Sequence, residues 1–131
     1  MKPMNIWIVE DDAGYRRNLR ASLELEDQVD VGRVFPACSE FFEALASEAS
    51  PDVVLMDLGL PGMSGVEAIR KLSRIAPKVA VMVLTVFKEK EKVAAALKAG
   101  ASGYLLKESD GPEIVQGLRE VFADDLSPAV A

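Results

Sequence analysis

The chain has 131 residues, half of them apolar, enough for one domain with a real core and too apolar for disorder to be the default. Its 15 basic and 21 acidic residues leave a net charge of −6, which argues against a direct grip on nucleic acid and suits a binder of cations or basic partners. A single cysteine, Cys38, excludes an internal disulfide and fits a reducing cytoplasm, and the lack of histidine removes every mechanism needing an imidazole of the chain's own.

The N-terminal apolar run, Asn5–Val9, is too short for a signal peptide or a membrane span and ends in acids, Glu10-Asp11-Asp12; it reads as a first strand of a cytoplasmic protein. Tyr15, Leu19 and Leu23 recur every four residues, which predicts a helix starting at Ala13 with Asp12 as its cap. Val29–Phe35 is a second strand, and Phe41 and Leu45 mark a second helix. Val53–Met56 is a third strand that runs straight into Asp57, then into a loop with Gly59, Pro61, Gly62 and Gly65. Ser64-Gly-Val-Glu67 is a capping box for a third helix carrying Val66, Ile69 and Leu72. Val79–Leu84 is a fourth strand closed by Thr85, and Lys88–Lys92, read as a solvated face, opens a fourth helix that stops at Gly100. Gly103–Leu106 is a fifth strand closed by Lys107. Asp110-Gly-Pro-Glu113 caps a fifth helix with Ile114, Leu118 and Phe122. The domain is read as residues 1–124, and 125–131, where Ser127-Pro128 breaks the period, as a tail or the start of a linker. Cys38 is read as a buried or loop thiol without function, and Trp7 as packing a helix onto the first strand.

Strands and helices alternating with short connections, and strands apolar without alternation, imply an α/β fold with a parallel sheet covered on both faces. On that frame Glu10, Asp11, Asp57, Thr85 and Lys107 all fall at the carboxyl ends of strands, the edge where such sheets bind ligands. Each has an ordinary explanation alone. Glu10 and Asp11 favour a helix N-terminus, threonine is common at strand ends, and loop lysines are usually solvated. Asp57 is harder to dismiss, since a leucine there would extend the core.

If the carboxylates of Glu10, Asp11 and Asp57 converge, each pair at ~4 Å costs about 4 kcal/mol at an effective dielectric near 20. One lysine does not offset three acids, so a divalent cation is expected. Oxygen-only donors select Mg2+ or Mn2+ over zinc. Lys107 would neutralise a phosphoryl oxygen and Thr85 would donate to another, giving a metal-dependent phosphoryl-transfer site with a carboxylate nucleophile.

The motifs IVEDD (Ile8–Asp12), VVLMDLGLPGMSG (Val53–Gly65), VLT (Val83–Thr85) and GYLLK (Gly103–Lys107) resemble the receiver domain of bacterial two-component response regulators. The resemblance spans roughly residues 4 to 123, and the last motif and the tail look most like the NarL/FixJ type. It implies a flavodoxin-like (βα)5 doubly wound sheet in the order 2-1-3-4-5. It implies that Asp57 accepts a phosphoryl group from a sensor histidine kinase, and that Thr85 and Lys107 contact that group. Asp11, Asp57 and the backbone carbonyl of Gly59 would ligate Mg2+, with Glu10 acting through water; a glycine leaves the carbonyl free of a side chain. Tyr104 would be an aromatic switch coupled to Thr85, against a plain reading as a strand residue at a sheet edge. The chain would be a regulator rather than a turnover enzyme, controlling transcription through a LuxR-type helix-turn-helix absent here, with homodimerisation on phosphorylation. DNA would be met only through that output domain, and no membrane is involved. The alternative is a stand-alone or phosphate-independent receiver working by protein contacts.

Two departures stand out. Val86, read as lying across from Asp57 on the fourth strand, and Phe87 are bulky where the family usually has a small residue after the threonine. Glu108 stands where many receivers have a cis proline, so no cis bond is expected. Two rivals fit less well. A flavodoxin-type electron carrier needs a phosphate-cradling loop where Glu10-Asp11-Asp12 stands. A haloacid-dehalogenase-type phosphatase needs an aspartate where Gly59 stands.

Overall fold

A computed structural model describes residues 3–130 except Pro61 and Phe87, with side chains described through Val121. The roles read for Pro61 and Phe87, and for the Phe122 side chain, fall outside the described residues. The elements alternate as β1 (Met4–Val9), α1 (Ala13–Glu24), β2 (Val29–Phe35), α2 (Cys38–Ser47), β3 (Val53–Asp57), α3 (Gly65–Ile75), β4 (Ala80–Thr85), α4 (Lys90–Ala99), β5 (Gly103–Leu106) and α5 (Gly111–Val130). The five strands form one parallel sheet in the order β2-β1-β3-β4-β5, the flavodoxin-like arrangement. The winding reverses between β1 and β3, so the crevice outside their carboxyl ends is the switch point of the sheet.

Successive strand side chains point to opposite faces, which splits the core in two. On one face Trp7, Val9, Val54, Met56, Val81 and Val83 pack against Phe41 of α2, Ile69 and Leu72 of α3, and Ala96 of α4. On the other, Ile6, Ile8, Val53, Leu55, Met82 and Leu84 pack against Leu19 and Leu23 of α1 and Ile114 and Leu118 of α5. Both faces are covered, hence the unbroken apolar runs. Trp7 meets Phe35 and Phe41 edge-on, so it does seat α2 on β1. Cys38 is buried, its Sγ 3.7 Å from the Met63 carbonyl oxygen, and burial pushes the thiol up to about 11, which keeps it protonated and inert.

The helix starts follow their caps. Asp12 accepts from the Tyr15 N–H at 3.0 Å, and Ser64 from the Glu67 N–H at 3.2 Å. Asp110 and Glu113 cap reciprocally, at 2.9 and 3.0 Å. Asp110→Ala should therefore lower stability by roughly 0.5–2 kcal/mol in urea unfolding, and no loss would show that α5 does not depend on this box. Gly100 closes α4 at φ +125°, a conformation side chains disfavour.

Several boundaries move. β3 and β4 extend to Asp57 and Thr85 because backbone pairing continues there, Asp57 with Leu84 and Thr85 with Leu106. β4 opens at Ala80, since the Val79 N–H is turned to the Ala76 carbonyl. α4 begins at Lys90 with Glu89 as its cap, which leaves Lys88 outside. α5 runs to Val130, through the segment read as aperiodic. Among the described residues no peptide bond is cis, and no helix is long and apolar enough to cross a membrane.

Candidate functional site

The alternation of the strands decides which side chains meet. Asp57 continues the set of Val53 and Leu55, on the α1/α5 face. Glu10, one step beyond β1, continues Ile6 and Ile8, and Lys107, one step beyond β5, continues Leu105. Three charged groups from three strands thus emerge on one face. The Lys107 ammonium lies 2.7 Å from Glu10 Oε1 and 3.3 Å from Asp57 Oδ1. Glu10 is fully buried and Asp57 4% exposed, so these pairs are shielded from solvent far more than surface ion pairs are.

The backbone locks this arrangement. Glu10 Oε2 accepts from the Asp12 N–H at 3.1 Å, and the Glu10 carbonyl accepts from Arg16 Nη1 at 2.7 Å. Asp57 Oδ1 accepts from the Gly59 N–H at 3.2 Å. The Lys107 N–H donates to the Thr85 carbonyl at 2.9 Å, which fixes where the lysine leaves the sheet. Gly65 is required by close approach, because a Cβ there would sit 2.6 Å from the Asp57 carbonyl oxygen. Gly59 is different: a Cβ would meet nothing nearer than Asp57 Oδ1 at 3.9 Å, so steric room does not explain that glycine.

Thr85 belongs to the opposite set, with Val81 and Val83, on the α4 face. It is buried, and its hydroxyl donates to Glu89 Oε2 at 2.7 Å rather than toward Asp57. Tyr104 is half exposed and lines a cleft of about 390 Å3 between α4 and β5, together with Thr85, Val86, Val93 and Leu97. Val86 is not across from Asp57, whose partner on β4 is Leu84. It lies one residue past the strand, half exposed, on the rim of that cleft.

Asp11 is exposed at the mouth, and one carboxylate oxygen from each of Glu10, Asp11 and Asp57 falls within 4.8 Å of the other two. The donors are all hard oxygens, two of them on buried residues, which fits Mg2+ or Mn2+ and disfavours zinc.

Residues 6–119 match the family model described as response regulator receiver domain. The chain belongs to that family. Receivers are regulatory modules that work with sensor histidine kinases and bind Mg2+ at an acidic pocket. This receiver is 38% identical over 131 residues to the response regulator GacA of Pseudomonas aeruginosa, covering 98% of this chain and 60% of the relative. It is 38% identical over 120 residues to the transcriptional regulatory protein LnrK of Bacillus subtilis, covering 92% of this chain and 54% of the relative. Among solved structures it superposes with a TM-score of 0.84 on a two-component response regulator of the LuxR family from Aurantimonas sp. SI85-9A1, at 31% identity, covering 94% of this chain and 87% of the other. These are regulators of the NarL/FixJ and LuxR kind, and the receiver spans only part of the length of the curated ones.

The charges of the receiver site are mutually constrained. Burial pushes Glu10 up to about 7, opposed by Lys107 and the Asp12 N–H and reinforced by Asp57. Burial by itself lowers Lys107, but its contacts with Glu10 and Asp57 outweigh that and hold it above the ordinary lysine value, fully protonated at neutral pH. A carboxyl group raised from 4.5 to about 7 on folding stabilises the protein below pH 4.5, and that contribution is lost as pH rises through 7. Were Glu10 to serve Mg2+ as a carboxylate, binding of the cation would expel this proton. Mg2+ affinity should climb as pH passes through 7 and level off above it. Calorimetry in buffers of different ionisation enthalpy would show proton release near pH 6.5 and little at pH 9; affinity independent of pH would contradict the assignment.

Three residues near the site were not singled out from sequence. Tyr15, read only as part of the apolar stripe of α1, has its ring under Lys107, with Nζ 5.1 Å from the ring centre. Its position four residues after Asp11, one turn into the helix, was the available signal. Arg16 braces Glu10 through its carbonyl. Glu89 sat in a run of mixed charge, and nothing local distinguished it from its solvated neighbours.

Proposed function

We propose that this receiver is a phosphorylation-activated switch in which Asp57 takes a phosphoryl group from a phosphohistidine of a sensor kinase. The observation that carries this is a buried aspartate at the sheet switch point, 3.3 Å from a protonated lysine and within a three-carboxylate cluster. An oxygen of Asp57 attacks phosphorus in line, the P–N bond breaks, and the imidazole leaves with its electron pair. Lys107 neutralises charge on a phosphoryl oxygen, and its distance from Glu10 keeps it anchored as that charge arrives. Asp11, Asp57 and the Gly59 carbonyl would hold Mg2+ or Mn2+, with Glu10 acting through water. The bound cation supplies positive charge to the carboxylates and the phosphoryl oxygens. Water later removes the phosphoryl group in the same site, so the chain catalyses only its own modification and demodification.

The switch is a shift between two conformers, with Thr85 sensing the phosphoryl group and Tyr104 turning into the cleft it now rims. Residues 1–124 are taken as the receiver and 125–131 as a tail or the start of a linker to an output domain, with α5 running on into them as far as Val130. Because its relatives are longer and include a transcriptional regulator and a LuxR-family regulator, that output is transcription through a helix-turn-helix domain, with dimerisation on phosphorylation, in the cytoplasm. Acetyl phosphate with Mg2+ should add one phosphoryl mass to the intact chain, and a chelator should prevent it. A chain that stays unmodified in the presence of Mg2+ would overturn the reading.

A further inference from the structure

We propose that Glu89 is a positioning residue that holds the Thr85 hydroxyl away from Asp57, so that phosphoryl acceptance requires one hydrogen bond to be exchanged for another. The inference rests on the phosphoryl-acceptor reading of Asp57 and goes beyond it, since the competing acceptor is a particular side chain of this protein.

A threonine hydroxyl has one proton to give. That of Thr85 has two acceptors within reach, Glu89 Oε2 at 2.7 Å and the carbonyl of Val86 at 3.1 Å. The carboxylate is the nearer and the stronger, and a short bond to an ionised acceptor outweighs a neutral one. The donor is therefore already committed, and Thr85 is only 2% exposed, so water is a poor substitute partner. A phosphoryl oxygen on Asp57 would have to win that proton from Glu89.

The placement of Glu89 sharpens the point. It is the cap residue of α4, yet its side chain makes no capping hydrogen bond to the helix. An acid at a helix N-terminus is favoured by the helix dipole alone, which accounts for the charge. It does not account for an oxygen turned to a buried hydroxyl. The other oxygen, Oε1, lies 3.7 Å from Lys92 Nζ one turn on, so the carboxylate is held at both ends. Sheet geometry completes the separation, since Thr85 leaves β4 on the α4 face and Asp57 leaves β3 on the α1 face. When Thr85 turns to the phosphoryl group, Glu89 loses its buried partner at the cap of α4. The release would be felt where that helix borders the cleft holding Tyr104.

The test is a double-mutant cycle on the whole chain with beryllium trifluoride, a tetrahedral phosphoryl mimic, titrated calorimetrically in Mg2+ and excess fluoride. Glu89→Ala should bind the mimic roughly tenfold more tightly than the parent, the scale of one hydrogen bond to a charged acceptor. Glu89→Gln keeps an acceptor without the charge and should fall between the two. In a Thr85→Val background, Glu89→Ala should change affinity less than about twofold. A residue that only repels the anion, or only steadies α4, would give the same effect with valine at position 85, and that outcome overturns the proposal. So does an unchanged affinity in both Glu89 variants while the parent binds the mimic. A parent chain that binds no mimic and gains no phosphoryl group would instead sink the phosphoryl-acceptor reading of Asp57.

Discussion

The Asp57→Asn chain should gain no phosphoryl group from acetyl phosphate and Mg2+ under conditions that modify the parent, with residual labelling below about one hundredth of it. The substitution changes chemistry more than shape. Asparagine has nearly the same volume, and its amide oxygen can still accept from the Gly59 N–H that now reaches Asp57 Oδ1 at 3.2 Å. What disappears is the negative charge and the nucleophilic oxygen. Lys107 keeps Glu10 at 2.7 Å, so the other half of the charge cluster survives. Circular dichroism should show the same fold, which separates loss of the acceptor from loss of the domain. Intact-mass measurement decides the matter, and labelling that persists at the parent level would remove Asp57 from its proposed role.

The largest effect on stability should come from Phe41→Ala, a loss of roughly 3–5 kcal/mol. Phe41 is fully buried, and its ring meets Trp7 at 6.1 Å, Phe35 at 5.8 Å and Phe42 at 4.9 Å between centres. Truncation removes a large apolar surface and two edge-to-face contacts, each worth about 0.5–1.5 kcal/mol beyond area. Trp7 and Phe35 are anchored in β1 and β2, so they have little freedom to collapse into the cavity. Against a total stability of about 5–15 kcal/mol this is a large share, and the melting temperature should fall by roughly 10–20 °C. A fall of under 1 kcal/mol in urea unfolding would mean that α2 is not seated through this ring. Leu25→Ala, at a side chain 82% exposed, is the matching control and should be nearly silent.

Much of the sheet was legible because burial on both faces writes itself as continuous apolar runs. β2 and β5 emerge with the bounds read from sequence. The errors at β3 and β4 share one cause. Apolarity stops at Met56 and Leu84, but backbone pairing needs no apolar side chain and continues through Asp57 and Thr85. α5 extends past the point where its apolar period fails because helical backbone geometry needs no apolar face, and Pro128 removes only its own N–H from the ladder. Val86 was misplaced because its offset from Asp57 depends on strand register, and register is set by pairing between strands distant in sequence.

The site divides along the same line. By itself the sequence determined that Glu10, Asp11, Asp57, Thr85 and Lys107 stand at strand ends, because strand ends and polar residues are both local properties of the chain. It also determined that the donors are hard oxygens, which selects the kind of cation. Only the tertiary structure decided that Glu10, Asp57 and Lys107 leave the sheet on one face and Thr85 on the other. Only it placed the Tyr15 ring under the lysine, and the Thr85 hydroxyl on Glu89. The physical reason is that pairing, burial and hydrogen-bond choice join groups far apart along the chain. A hydroxyl with one proton takes whichever acceptor the fold brings nearest.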